Sequence, residues 1–158
     1  MGWRIVIGAD DAGADYAEVL RGVLERDDRV DEVIRIDGHE LDPYPQIAEP
    51  AARLVASGAA DRGLLVCGTG LGMAITANKV QGIRAVTAHD SYSVERSVLS
   101  NDAQVLTMGQ RVVGIELARR LVREWLGYRF DPQSASAAKV DAITSYEESS
   151  TATVEGTL

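Results

Sequence analysis

Leu64-Leu65-Val66-Cys67-Gly68-Thr69-Gly70-Leu71-Gly72 reads as a buried strand that ends on the chain's only cysteine. A glycine-rich turn follows and opens a helix. Such a turn aims several backbone N–H groups at one spot, and the positive end of the helix macrodipole adds to them. An anion, or an oxygen that becomes anionic during a reaction, is stabilised there. A thiol at the same place is favoured as its thiolate, able to act as base or nucleophile. Against this stands the plainer reading of a steric turn beside a cysteine that merely fills the core.

Outward from this stretch, short β-branched runs alternate with amphipathic helical patterns. Strands are expected at Arg4–Ala9, Glu32–Ile36, Gly63–Cys67, Arg84–Ala88 and Gln104–Met108. Tyr16, Val19, Leu20, Val23 and Leu24 share one helical face, as do Ile115, Ala118, Leu121, Val122 and Trp125. The alternation predicts a parallel sheet with helices on both faces. Ligands in such sheets bind beyond the carboxyl ends of the strands. Three of these ends carry polar or glycine-rich residues: Gly8–Gly13, Cys67–Gly72 and His89-Asp90-Ser91. Asp37–Pro45 reads as a loop, and Ala135–Glu148 as a late helix of the kind that packs on a neighbouring subunit. Residues 1–148 form a single domain in this reading, and 149–158 a flexible tail.

The 158 residues, 46% hydrophobic and 25% charged, suit one soluble domain that buries roughly two-thirds of its unfolded surface. A formal net charge of −8 argues against a general nucleic-acid or anionic-membrane surface. A single cysteine excludes an internal disulfide and fits a reducing compartment. Met1-Gly2-Trp3-Arg4 runs into a strand with no signal-peptide pattern, and no apolar stretch approaches the ~20 residues of a membrane span. The cytoplasm is the expected location.

The glycine turn follows the third strand, whereas a dinucleotide fingerprint follows the first, so nicotinamide binding is rejected. Asp10-Asp11 projects into the same crevice, and one of the pair, with Asp11 the candidate, caps the helix near Ala14. A receiver-domain reading fails because Cys67 and Met108-Gly109 stand where that fold needs an aspartate and a lysine. His39 and His89 lack metal-ligand spacing and read as loop or surface residues, so neither a zinc site nor a Ser-His-Asp triad assembles. Arg111 and Lys139 are candidate phosphate clamps, with Arg84 and Arg129 behind them.

Gly8-Ala9-Asp10, Asp42-Pro43-Tyr44-Pro45, Cys67–Gly72, Ala77–Val80, Gly82–Ala85, Ser100-Asn101-Asp102 and Gly109–Gly114 together resemble the ribose-5-phosphate isomerase B / galactose-6-phosphate isomerase family over nearly the whole chain. The resemblance implies a Rossmann-like three-layer αβα subunit with a five-stranded parallel sheet. It implies a homodimer or homotetramer with active sites shared between subunits, and isomerisation of a sugar phosphate without metal or cofactor. Carried over by position, Cys67 is the base that moves a proton between C1 and C2 through a cis-enediol(ate). Thr69 and the amides of Gly70, Leu71 and Gly72 stabilise the intermediate's oxygens beside Gly68. Asp10, with Asp11 next to it, orients a substrate hydroxyl, Asn101 bonds the sugar, and Arg111 and Lys139 hold phosphate.

Departures from the family pattern bear on the substrate. Ser100 stands where pentose-phosphate members have a ring-opening histidine, and Asp11 where they have a second one. The arginine–histidine phosphate clamp is reduced to Lys139 within Ala135–Lys139. A serine hydroxyl cannot replace imidazole in ring opening. A four-carbon sugar phosphate has no free hydroxyl at furanose distance and needs none. Ala88–Arg96, Leu99-Ser100-Asn101 and Thr107-Met108-Gly109 also resemble the erythritol-catabolic branch, which interconverts D-erythrulose 4-phosphate and D-erythrose 4-phosphate. The alternatives are a ribose-5-phosphate or galactose-6-phosphate isomerase, or a non-catalytic sugar-phosphate-binding paralogue.

Overall fold

Each apolar run becomes a strand, and in the three central ones successive residues alternate between two buried faces. The computed structural model describes residues 1–36 and 42–155. The strands are β1 (Trp3–Ala9), β2 (Val30–Arg35), β3 (Arg62–Cys67), β4 (Ala85–Thr87) and β5 (Val105–Gly109). All pairings are parallel, in the order β2-β1-β3-β5-β4. The helices are α1 (Ala14–Glu25), α2 (Tyr44–Ala56), α3 (Leu71–Ala77), α4 (Ser91–Leu99), α5 (Ile115–Gly127) and α6 (Ala137–Glu155).

Ile5, Ile7, Leu64, Val66, Leu106 and Met108 face α1, α4 and α5. Val6, Leu65, Cys67 and Val105 face α2 and α3. This three-layer α/β arrangement is the one the alternating pattern predicts. Trp125 and Leu121 on α5 are wholly buried, and each such side chain contributes roughly 1.5–3 kcal/mol by leaving water.

The strand ends shift by one or two residues from expectation, and two helices differ more. Tyr44 and Pro45, read as loop, open α2, because proline tolerates a helix's first turn, where its missing N–H has no intrahelical partner. The late helix runs past Glu148 to Glu155, into the stretch read as a tail. His39 and the centre of the Asp37–Pro45 segment lie outside the described residues.

The amino end of the sheet is tied by Arg62. Its guanidinium lies 3.9 Å from the Trp3 ring centre and 5.2 Å from that of Trp125. It donates to the carbonyls of Trp125 (2.7 Å) and Tyr128 (2.5 Å). Burial, helped by nearby Arg129, brings its pKa down to about 10. α6 is anchored at this end too, where Glu147 accepts the Gly82 N–H at 2.9 Å.

Candidate active site

The strand order reverses direction between β1 and β3: the chain leaves β1 toward β2 on one side, and β3 toward β5 and β4 on the other. The crevice at this switch point is where an open α/β sheet binds ligands, and it is walled by Asp10 and Cys67.

Cys67 is the last residue of β3, buried with its side chain on the α2–α3 face. Its Sγ accepts the Gly70 N–H at 3.0 Å, so the turn wraps around the sulfur. Gly70 sits in the left-handed region (φ +81°), which a side chain adopts only at a cost. Its carbonyl accepts from Ala74 N (3.1 Å) and lies within reach of the hydroxyls of Thr107 (2.8 Å) and Thr87 (3.1 Å). A trans peptide points its N–H away from its C=O, so the Leu71 N–H faces the open side of the turn, where Thr69 Oγ1 accepts it weakly at 3.3 Å. The turn therefore brings a thiol, a hydroxyl and the Leu71 amide together. Tyr44, missed as a site residue, packs its ring so closely on Gly72 that a Cβ there would lie 2.5 Å from Cε2.

Neither acid caps α1, whose N-cap is Gly13; Asp10, not Asp11, caps the 3-10 turn (Asp11–Gly13) before it, its carboxylate accepting the Gly13 N–H at 3.2 Å. The cap falls one residue early because the 3-10 turn precedes α1. Burial raises the pKa of Asp10, and the charge of Asp11 adds to it, while the amides of Gly13 and Ala12 and the charge of Arg111 pull the other way. Asp11 itself is exposed. The β5–α5 turn closes the crevice. Gln110 N donates to Cys67 O (2.9 Å) and Arg111 N to Gly68 O (3.0 Å). The Arg111 guanidinium lies over Gly68, 3.2 Å from where a Cβ would stand.

Ser100, Asn101 and Lys139 are not in this crevice. α4 carries the chain from the carboxyl end of β4 back to the amino end of β5, and the five residues of β5 then span roughly 17 Å. Ser100 there accepts from Arg96 Nε (2.8 Å) and Nη2 (2.6 Å), and Asn101 O accepts from Arg84 Nε (3.0 Å). Arg84 pairs with Asp102 at 3.0 Å, and Arg129 stacks on Trp3, so neither belongs to the crevice. Lys139 is exposed on α6.

His89, read as a surface residue, is half-buried, and its Nε2 accepts the Gly109 N–H at 2.8 Å. Burial lowers its pKa, against a smaller opposing effect of Asp90. The one available signal was its place just past the end of a strand. Among the described residues no three His, Cys, Asp or Glu side chains gather as a metal-binding group, and no helix is long and apolar enough to cross a membrane.

A thiol wrapped by a glycine turn at the switch point of a parallel sheet places this chain in the class of α/β proteins that bind ligands at the strand ends. Residues 5–143 match the family model described as Ribose/Galactose Isomerase; the chain belongs to that family and is an isomerase of sugar phosphates. It is 65% identical over 150 residues to D-erythrulose-4-phosphate isomerase 2 of Mycolicibacterium smegmatis, a match covering 93% of this chain and 99% of the relative. It is 40% identical to the D-erythrulose-4-phosphate isomerase of Pectobacterium atrosepticum, covering 90% and 94%. The solved ribose-5-phosphate isomerase B of Clostridium thermocellum superposes with a TM-score of 0.86 at 38% identity, covering 92% of this chain and 98% of that one.

Proposed function

We propose that this isomerase interconverts D-erythrulose 4-phosphate and D-erythrose 4-phosphate in the cytoplasm, within erythritol breakdown, with Cys67 as the base. The observation that carries the reading is the Cys67 thiol held by the Gly70 N–H at 3.0 Å, at the switch point and beside Asp10 and Arg111. The Cys67 thiolate takes a proton from C1 of the ketose, and the C1–H electrons form the C1–C2 double bond of the enediolate. A proton, exchangeable with solvent while it rests on sulfur, is then delivered from the thiol to C2, while the hydroxyl proton passes from O1 to O2, giving the aldose. Thr69 and the Leu71 and Gly72 amides stabilise the enediolate oxygens. The Gly70 N–H is engaged by sulfur, so it acts on the base. Asp10 orients a hydroxyl, Asp11 borders it, and Arg111 above Gly68 holds phosphate.

Two observations favour four carbons. The Ser100 hydroxyl is taken up by Arg96 and has no acid–base capacity near neutrality. The names of the Mycolicibacterium and Pectobacterium relatives support the same substrate. Ser100, Asn101 and Lys139 lie outside their own chain's crevice, so in this reading they reach that of a second copy, in a homodimer or homotetramer on which α6 packs. Exposed Leu71, Ile75 and Val112 beside the crevice support a covering partner.

The test is a coupled assay across four-, five- and six-carbon sugar phosphates. Turnover is expected to be highest on the tetrulose phosphate; faster turnover of ribose 5-phosphate or a six-carbon phosphate overturns the substrate. Cys67→Ala is expected to abolish both turnover and solvent deuterium incorporation with the fold intact. Binding without any proton exchange in the unsubstituted protein would mark a non-catalytic paralogue. Mixing C67A with N101A copies is expected to restore activity if sites are shared, and fails to do so if each chain is self-sufficient.

A further inference from the structure

The imidazole of His89 occupies a place that backbone would fill if β4 were longer. Ala88 N donates to Thr107 O at 3.3 Å, which is the last β4–β5 backbone link. The next donor along β5, Gly109 N–H, has no β4 carbonyl opposite it and is taken by His89 Nε2 at 2.8 Å. An N–H donor on Nε2's partner requires that nitrogen to be unprotonated, so the ring is neutral with its proton on Nδ1.

Gly109 is the pivot of the turn that carries Arg111. Its carbonyl accepts from Val112 N (3.0 Å) and Val113 N (3.1 Å). Its Cα faces the Thr69 backbone, where an added Cβ would lie 2.6 Å from Thr69 Cα. The next two residues bond through their N–H groups to Cys67 O and Gly68 O. A chain of contacts thus runs from the His89 ring through Gly109 to the Arg111 guanidinium and the Cys67 turn.

We propose that His89 is a positioning residue: as the neutral acceptor of the Gly109 N–H it holds the β5–α5 turn, and with it Arg111, in register with the Cys67 turn, and its protonation releases that turn. This rests on the reading of Arg111 as the phosphate holder. Protonated Nε2 becomes a donor facing a donor, so the bond is lost and replaced by repulsion. Asp90, on His89's own loop, is the charged group that acts on the ring, and it favours the proton; burial opposes it more strongly. From β5 the ring meets the Gly109 backbone N–H, and the titratable or charged groups beyond it are the Cys67 thiol at the end of β3 and Arg111 on the β5–α5 turn. The acid form is therefore reached only below the ordinary histidine range, and the loss is expected mainly in KM, through Arg111.

The experiment compares pH profiles of kcat/KM for the unsubstituted enzyme, H89Q and H89L on the sugar phosphate turned over fastest. The amide Oε1 of Gln accepts the Gly109 N–H but does not titrate; Leu cannot accept. H89L is expected to lose at least tenfold in kcat/KM at pH 8, chiefly in KM. H89Q is expected to recover most of it and to lose the histidine's share of the acid limb, keeping only what the Cys67 base and the substrate phosphate, whose second ionisation lies at about 6, contribute. An H89Q profile with the unsubstituted enzyme's acid limb overturns the proposal, as does H89L with full kcat/KM. Should H89L not fold, H89Q against the unsubstituted enzyme decides alone. In parallel, the Gly109 amide resonance, followed by ¹⁵N NMR without substrate, is expected to titrate with the His89 ring and to be flat in H89Q. A Gly109 signal indifferent to that ring overturns the proposal even if the substrate reading holds. A titrating signal in a protein inactive on every sugar phosphate supports it while the substrate reading fails.

Discussion

Replacing Gly70 by alanine separates two costs that coincide in this turn. At φ +81° an L-residue carries a left-handed penalty of about 1–2 kcal/mol. The new Cβ would also stand 2.9 Å from Met108 C, 3.0 Å from Met108 N and 3.1 Å from Met108 Cα, all backbone of a fully buried strand. That backbone cannot swing aside as a side-chain tip would, so overpacking adds about 1–3 kcal/mol. The lower entropy of the unfolded alanine chain returns roughly 0.4–1 kcal/mol. The net expectation is a loss of about 3 kcal/mol. Gly58 (φ +77°) and Gly82 (φ +83°) are natural controls, because a Cβ at either meets nothing within 4 Å. Alanine there bears only the conformational penalty and should cost about 1 kcal/mol net. With a urea m-value near 2 kcal/mol/M, the midpoint should fall by about 1.5 M for G70A and about 0.5 M for each control. G70A should also lose isomerase activity, because relieving the clash moves the Gly70 N–H off Sγ, whereas the controls should keep it. Equal midpoint shifts in the three variants, or an active G70A, would refute the reasoning.

Asp10→Asn keeps the cap acceptor but removes a carboxylate that burial and Asp11 disfavour. A raised folded-state pKa means that the folded protein holds its proton longer than the unfolded chain. Stability therefore falls as pH rises from the unfolded value near 3.8 through the folded one. D10N should lose activity while its thermal midpoint at pH 7 equals or exceeds that of the unsubstituted protein; calorimetry across pH 3–7 checks the missing slope. Arg62→Ala strips two carbonyls of their donor and opens a gap between two indoles, for a cost of about 3 kcal/mol. That should lower Tm by about 10 °C with a change in tryptophan fluorescence and unchanged kcat in the folded fraction. Arg111→Met removes a charged donor worth roughly 1.5–3 kcal/mol to a phosphate, so KM should rise about 10- to 100-fold with a smaller change in kcat.

The strands and the Cys67 turn were legible because they depend on local pattern. Apolar residues at period two, closed by glycine, fix a strand end whatever surrounds it. What pattern could not supply was strand order. β5 enters between β3 and β4, so the neighbour of the Cys67 turn is Gly109-Gln110-Arg111, and the His89-Asp90-Ser91 end stands one strand further out. That is why His89 read as a surface residue: its partner, Gly109 N–H, lies 20 residues on and becomes adjacent only through the sheet. Asp11 was favoured as the cap because nothing in Asp10-Asp11-Ala12-Gly13 announces a 3-10 turn. Tyr44 escaped because its role is contact with Gly72, a glycine already explained by the turn.

The same topology explains why motif and crevice diverge at Ser100-Asn101. A helix that follows a parallel strand must return the chain to the opposite end of the sheet before the next strand begins. Any residue at the end of α4 is thus about a strand's length from Cys67, however closely its motif belongs to the same chemistry. Asn101 and Cys67 can meet one substrate only if two chains are placed with the amino end of one sheet against the carboxyl end of the other. A two-fold axis does this twice at once, generating two equivalent crevices from one contact. Exposed Leu71 and Val112 flank the crevice on α3 and on the β5–α5 turn, so covering them would bury apolar surface around the reacting thiol. In the proposed arrangement the apolar surface that favours association would also exclude water from the proposed enediolate, tying assembly of the subunits to the chemistry of the site.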